Sequence, residues 1–192
     1  MPELPTTPRG AATSRRILDA AAAEFAERGI AGARIDRIIA AARTNKAQLY
    51  GYFGSKDALF GVVIADRADR LLDAIPFDAD DLPGWAAAMY DENLRHPELA
   101  RLMGWLRLER RPAGGLTENP DHEWKLSAIA RAQAAGKVRE GDPFDLSVLI
   151  IAMACAWSPA SGVYAASSDE PAADHDRRRD LLRESVRRVI AP

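Results

Sequence analysis

The sequence predicts an all-α fold of about nine helices, a three-helix N-terminal head followed by a C-terminal helical domain. Three observations predict it. Apolar residues recur at i, i+3, i+4 and i+7 in one segment after another. Prolines, glycines and capping residues punctuate those segments where helices start and stop. No segment shows period-two alternation bounded by hairpin signals.

A chain of 192 residues can bury a core in one domain or in two small ones. Its 47% apolar and 28% charged content are those of a soluble globular protein. The single cysteine excludes an intrachain disulfide and points to a reducing compartment. No apolar run approaches the roughly 20 residues of a membrane span, and the N-terminus lacks the apolar centre of a signal peptide. A cytoplasmic protein with no membrane partner is expected. The net charge of −2 is unevenly divided. Residues 1–60 carry nine Lys/Arg against six Asp/Glu, and residues 61–192 carry 17 against 22. A phosphate-binding surface is therefore expected in the first part.

Residues 1–12 hold three prolines and a glycine and read as a loose arm. Arg9 within it either reaches a minor groove, as arms of some DNA-binding proteins do, or lies in a disordered tail. The first helix is expected to start with Thr13 or Ser14 as cap and to stop before Gly29, a good C′ residue. Ile17, Leu18, Ala21 and Phe25 make its buried stripe. Arg15 and Arg16 then fall in its first turn, where a cation opposes the macrodipole, so a nearby phosphate would explain them.

Ile35, Ile38, Ile39 and Ala42 give a short second helix one apolar face, and it stops near Arg43. Asn45 is a good N-cap, and Gln48 three residues on has the capping-box spacing. Leu49, Tyr52 and Phe53 can bury one side of the third helix, while Lys46, Gln48, Tyr50 and Gly51 lie toward the other. Two short helices, a tight turn and a polar face describe a helix-turn-helix, whose second helix fits the DNA major groove.

Ser55 opens a fourth helix over residues 55–73, with Leu59, Phe60, Ile64, Leu71 and Leu72 on a long apolar face. Lys56 takes its first position, where a cation is again disfavoured. An amide-rich helix terminus with an ammonium makes a phosphate clamp; the plainer reading is a solvated lysine. The acidic, turn-rich residues 76–83 connect onward. Pro83 and Pro97 suit the first positions of helices over 83–95 and 97–110, the second closed by Pro112, Gly114 and Gly115. Pro120, with Asp121 and Glu123, opens a seventh helix that ends near Gly136.

Asp142, Pro143 and Asp145 start the eighth helix, apolar nearly all round, which predicts burial on all sides. Pro159 is expected to kink or end it and to leave the Cys155 carbonyl without a helical partner. The last helix covers 176–190, with Leu182, Ser185, Val186 and Val189 on one side. Its arginines are interleaved with Asp174, Asp176, Asp180 and Glu184, the pattern of a solvated face.

His96, His122 and His175 share no metal-ligand spacing and read as surface histidines, and Cys155 as a core thiol. No Gly-rich phosphate loop, nucleophile elbow or paired-histidine motif occurs, so neither an enzyme nor a cofactor is expected. Outside the head, Trp85, Met89, Tyr90, Met103, Trp105, Trp124, Met153, Trp157 and Tyr164 either belong to the core or line a cavity between helices.

The run N-K-A-Q-L-Y-G-Y-F-G-S-K-D-A-L-F resembles the signature of the TetR (tetracycline-repressor) family of bacterial transcription regulators. Upstream, R-R-I-L-D-A-A-A-A-E-F-A-E-R-G resembles the family's first helix. Two positions depart from the pattern. Arg43 stands where the family usually has Gly, which predicts positive φ at a non-Gly residue and about 1 kcal/mol of strain. Ala33 stands where a capping Thr is usual, which predicts the loss of about 1 kcal/mol unless Gly32 serves instead.

The resemblance implies a DNA-binding head over residues 1–54 and a ligand-binding and dimerisation domain over 55–192. It implies a ligand-responsive repressor that binds a palindromic double-stranded operator as a homodimer and is released by a small lipophilic effector. The DNA contacts expected are Arg15, Arg34, Arg43, Thr44, Asn45, Lys46, Ala47, Gln48, Tyr50, Gly51, Tyr52 and Lys56, with Tyr52 and Lys56 on phosphates. Gln48 either contacts an adenine edge bidentately or is spent on the capping box. The pocket is expected from Trp85, Met89, Met103, Trp124, Met153, Trp157 and Tyr164, and the dimer contact from Leu149, Leu182, Val186 and Val189. The alternative is a helical ligand carrier or enzyme with a degenerate head. The intact Lys56 and the lack of a catalytic constellation speak against it.

Overall fold

The computed structural model describes residues 7–110 and 123–192, the side chains of residues 72, 73 and 110 excepted. Among the described residues there are nine helices and no strand. These are α1 (Pro8–Gly32), α2 (Ile35–Ala42), α3 (Lys46–Phe53), α4 (Lys56–Ala74), α5 (Leu82–Arg95), α6 (Pro97–Arg110), α7 (Glu123–Ala134), α8 (Pro143–Ala154) and α9 (Ala172–Ile190). They gather into two compact units. The described part of the first is residues 7–70 and 98–110, and that of the second is residues 71–97 and 123–192.

In the first unit α2 and α3 pack on α1 over a core of Ile17, Phe25, Ile38, Leu49 and Phe53. Phe25 meets Phe60 edge to face at 5.1 Å. Leu59, Phe60 and Val63 of α4 and Leu102 of α6 close the same core. The compact unit that holds the head thus runs past residue 54.

α1 starts earlier than its sequence suggests. The Thr7 hydroxyl accepts from the Gly10 amide at 3.2 Å, and Pro8 has no amide to leave orphaned. Thr13 and Ser14 are buried inside the helix rather than capping it. Of the expected arm, residues 7–12 belong to this cap and helix, Arg9 among them, and residues 1–6 lie outside the described residues. Near its end α1 kinks at Gly29, with φ 68° and ψ 179°, a region open almost only to glycine. A Cβ there would come within 2.4 Å of the Glu109 carboxylate and 2.9 Å of the Trp105 ring. Both belong to α6. Glu109 accepts from the Ile30 and Ala31 amides at 2.9 and 3.1 Å, and the Trp105 indole donates to the Ala26 carbonyl at 3.3 Å.

In the second unit α5 packs on α8 and α9, and α8 also meets α7. Trp85, Tyr90, Ile129, Ile150, Leu182 and Val186 make the core. Asp81 caps α5 through the Gly84 amide, α6 begins at Pro97, and Asp142 caps α8 through the Phe144 and Asp145 amides. Pro112, Gly114, Gly115, Pro120, Asp121 and His122 lie outside the described residues.

Four expectations for this unit need correction. α8 ends at Ala154, before Pro159 can act, and the Cys155 carbonyl accepts from the Ser158 amide at 3.0 Å. α8 is not buried on all sides: Leu146, Ile150 and Ala154 face the core, whereas Phe144, Val148, Leu149 and Ile151 are exposed. Leu182 and Val186 are consumed by the chain's own core, because α9 turns that stripe inward against α5, so they are closed to a partner. His175 is buried, with Nδ1 at 2.7 Å from the Tyr90 hydroxyl. Among the described residues no helix is long and apolar enough to cross a membrane, and no cluster could hold a metal ion.

Candidate nucleic-acid interface

α2 is held by a charge that the apolar pattern hides. Glu24 occupies the inward stripe of α1 and is 9% exposed. Its carboxylate accepts from the Arg34 amide at 2.9 Å and from Arg37 Nε at 2.7 Å. Burial pushes the Glu24 carboxyl up, but Arg37 and the Arg34 amide outweigh it and hold the pKa below the usual range. The Arg34 side chain makes no capping bond, so the expected loss of a side-chain cap stands, and Glu24 takes only the Arg34 amide that precedes the helix. Gly32 does not serve; its carbonyl accepts from Arg37.

α2 ends in a Schellman motif. Arg43 adopts the left-handed conformation, φ 51° and ψ 54°. Its amide donates to Ala40, and the Thr44 amide donates to Ile39 at 3.0 Å. The Ala42 carbonyl accepts from Arg16 Nε at 3.1 Å. This turn sets the angle at which α3 leaves. Asn45 then caps α3, its Oδ1 accepting from the Gln48 amide at 2.9 Å. Only that half of the capping box is made. The Gln48 side chain turns instead to Thr44, whose hydroxyl donates to Oε1 at 2.6 Å.

On α3, Leu49 and Phe53 are buried, and Lys46, Ala47, Gln48, Tyr50 and Gly51 are exposed. Asn45 is exposed as well, and Thr44 is half-buried. Lys46 pairs with Asp36 at 2.8 Å, both in solvent, a contact that a phosphate can replace. Tyr52 is half-buried against the core, its ring edge to Phe53. Arg34 and Arg43 are exposed, and their guanidinium groups make no ion pair among the described residues.

Arg15 and Arg16 are not in the first turn of α1 as the sequence suggests, whereas Lys56 takes the first position of α4 as expected. Arg15 lies two turns into α1, not in its first turn, because the helix starts at Pro8. It is bound to Asp19 and, at 2.6 Å, to Asp66 of α4. Arg67 also reaches Asp19, and Arg15 with Arg67 holds the Asp19 carboxyl down at about 2, against the opposing effect of burial. Arg15 thus fastens α1 to α4 and does not face outward alone. Lys56 opens α4 beside the Ser55 cap, whose hydroxyl accepts from the Ala58 amide. Its ammonium donates to the Ala33 carbonyl at 3.2 Å, which leaves two of its three donors unspent on that contact.

The seven expected pocket residues are divided between the two units. Met103 packs in the first unit. In the second, Phe77 is sandwiched edge-on by Trp85 and Trp124, at 4.9 and 5.2 Å. Trp157 packs on Tyr90, and Tyr164 lies under the Arg178 guanidinium. Met89 is core, and Met153 packs against that core. Of the seven, Trp124 alone borders an open cleft of about 370 Å³, which also has Asp78, Asp80, Arg131 and Lys137 on its walls.

Glu24, Arg37 and Glu109 escaped sequence reasoning. Glu24 left one trace, a charge at a position that continues the Ile17 and Ala21 stripe. Glu109 left none, since its partners lie nearly 80 residues away.

A short helix with a polar outer face, fixed on two others by a tight turn, defines a helix-turn-helix regulator. The chain belongs to the TetR family. Residues 17–63 match the profile of bacterial regulatory proteins of the tetR family, and residues 81–188 match the tetracyclin repressor-like C-terminal domain. It is 37% identical over 187 residues to the HTH-type transcriptional repressor SCO4008 of Streptomyces coelicolor, spanning 93% of this chain and 95% of that protein. The crystal structure of SCO4942 from Streptomyces coelicolor superposes with a TM-score of 0.76 at 34% identity, over 93% of this chain and 98% of that one. AibR, solved in complex with isovaleryl coenzyme A and operator DNA, shares the fold, with a TM-score of 0.60 at 16% identity over 91% and 97% of the two chains.

Proposed function

We propose that the chain is a cytoplasmic transcriptional repressor. As a homodimer it grips a palindromic double-stranded operator through its two α3 helices, and a small effector bound by the second unit releases it. The outward face of α3 carries this reading: Lys46, Ala47, Gln48, Tyr50 and Gly51 are exposed on a helix capped and angled by residues 43–45. In this reading Thr44, Asn45 and those five enter the major groove, and Arg34, Arg43, Tyr52 and Lys56 hold phosphates. Arg15 drops out, since its guanidinium is committed to Asp19 and Asp66. The dimer forms on the exposed apolar side chains of α8, Leu149 among them, with Leu181 of α9. Such a dimer sets its two α3 helices about 34–36 Å apart, one turn of DNA. The naming of SCO4008 as a repressor, and the operator DNA and acyl coenzyme A bound to AibR, support the reading by likeness.

The test is a gel shift with duplex from around the protein's own gene, at about 50 and 200 mM salt. Saturable, salt-sensitive binding is expected. Lys56→Ala should weaken binding to every sequence and remove about one phosphate contact from the salt slope. Failure to bind any duplex would overturn the repressor reading, and an unchanged slope would overturn the role given to Lys56. A thermal-shift screen of small compounds finds the effector, since a ligand selective for the folded state raises the midpoint. That ligand should also weaken the gel shift.

A further inference from the structure

We infer that Thr44 decides which base Gln48 reads, by turning the Gln48 carboxamide so that it offers donors to the groove. The inference rests on the placement of α3 in the major groove proposed above. Gln48 needs no side-chain contact to finish its helix, because Asn45 already takes its amide. Its carboxamide is therefore available to be aimed. Thr44 aims it. The Thr44 backbone is pinned by its own amide on the Ile39 carbonyl, so the hydroxyl starts from a fixed point. That hydroxyl donates to Gln48 Oε1 at 2.6 Å and draws the oxygen back toward the start of α3.

A carboxamide has an acceptor end and a donor end, and the two major-groove purine edges differ in what they ask of it. Adenine presents an acceptor, N7, beside a donor, the N6 amino group, and a bidentate glutamine needs both ends turned outward to meet it. Guanine presents two acceptors, N7 and O6. With Oε1 held by Thr44, the Nε2 amino group faces outward. It suits guanine and finds the adenine amino group opposing it. Gln48 in this chain therefore prefers guanine over adenine at the position it reads, and Thr44 is the positioning residue.

The experiment is selection of bound sequences from a randomised duplex library by the full chain and by Gln48→Ala, Thr44→Val and Thr44→Ser. Gln48→Ala marks the position that Gln48 reads, as the one whose preference flattens. There the unmodified protein should favour guanine. Thr44→Val keeps the shape and removes the hydroxyl, and should move the guanine-to-adenine ratio toward adenine by on the order of tenfold at that position alone. Thr44→Ser restores the hydroxyl and should restore guanine. If Thr44→Val does not fold, Thr44→Ala carries the same comparison. An adenine preference in the unmodified protein, or a profile unmoved by loss of the hydroxyl, overturns the inference while leaving the repressor reading intact. So does a Gln48→Ala profile that flattens nowhere. Failure of the unmodified protein to select any sequence overturns the repressor reading itself.

Discussion

In the first unit Arg15, Arg16, Arg37 and Arg67 all spend their guanidinium groups on partners within that unit. In the second, the arginines of α9 pair along their own helix or with near neighbours, Arg179 with Asp91 and Arg188 with Glu184, and a set of large apolar side chains stays in solvent. Phe144, Val148 and Ile151 stand at i, i+4 and i+7, one face of α8. The first unit closes its core with its own chain, and among its described residues Tyr50 and Leu108 are the large apolar side chains left exposed. The second closes its core as well but leaves an apolar stripe over. A stripe of that kind marks an interaction surface. The proposed function gives the two units partners of opposite chemistry, one a polyanion and the other an apolar surface.

The largest effect expected separates the two faces of the second unit. Val186→Asp puts a charge at a fully buried site, which costs about 4 kcal/mol or more, and should abolish the cooperative urea transition. Val148→Asp, on the exposed stripe, should keep the helical circular dichroism and halve the sedimenting mass. A Val148→Asp protein that still sediments as a dimer would remove α8 from the interface.

Glu24→Gln breaks the corresponding contact in the first unit and should cost about 2–3 kcal/mol by urea unfolding, since a buried partner loses its charge. The effect should depend on pH. The folded pKa is depressed, so the Glu24 contribution is complete above its unfolded value of about 4.3 and fades as pH falls through the folded value. The gap between Glu24→Gln and the unmodified protein should therefore close in acid. A gap that stays constant would contradict the electrostatic account.

The smallest effect is a gain. Arg43→Gly relieves the left-handed conformation and should raise stability by about 1 kcal/mol. If Arg43 meets a phosphate, the same change should flatten the salt dependence of DNA binding by about one contact. Stability and binding moving in opposite directions would sharpen the contrast between a part built for folding and a part built for a partner. An unchanged midpoint would mean that the turn carries no strain.

Local signals carried the helix starts. Asn45, Asp142 and Pro97 each act within one turn of chain, and α3, α8 and α6 begin where these residues predict. The left-handed Arg43 was equally legible, because it breaks a local rule. Features that need two distant segments were not. The periodicity of α8 is too apolar to say which side faces out, and its inward side became clear only from the packing of α5 and α9. The stripe on α9 is legible as apolar, but only the packing shows that Leu182 and Val186 face inward. Lys56 is legible as a cation at a helix start, but its hold on Ala33 depends on how α4 meets the turn before α2. Glu24 shows the same limit from the other side. A buried carboxylate looks like a misfit until its two partners come into view.

Gly29 and Glu109 bear on how this protein could be cut and recombined. The sequence match to the DNA-binding family profile closes at residue 63, which invites excision of the head as a portable module. The head as folded is not portable at that point. Its first helix bends at a glycine whose following two amides are capped by a carboxylate 46 residues beyond that cut, with an indole one turn of chain nearer. A fragment ending at residue 63 leaves both behind and exposes two helix-start amides where Glu109 had been. A chimera that joins this head to a foreign effector domain must therefore bring α6 along, or supply an acid in the same place. The border of the family profile thus falls inside a compact unit that the chain completes only with α6.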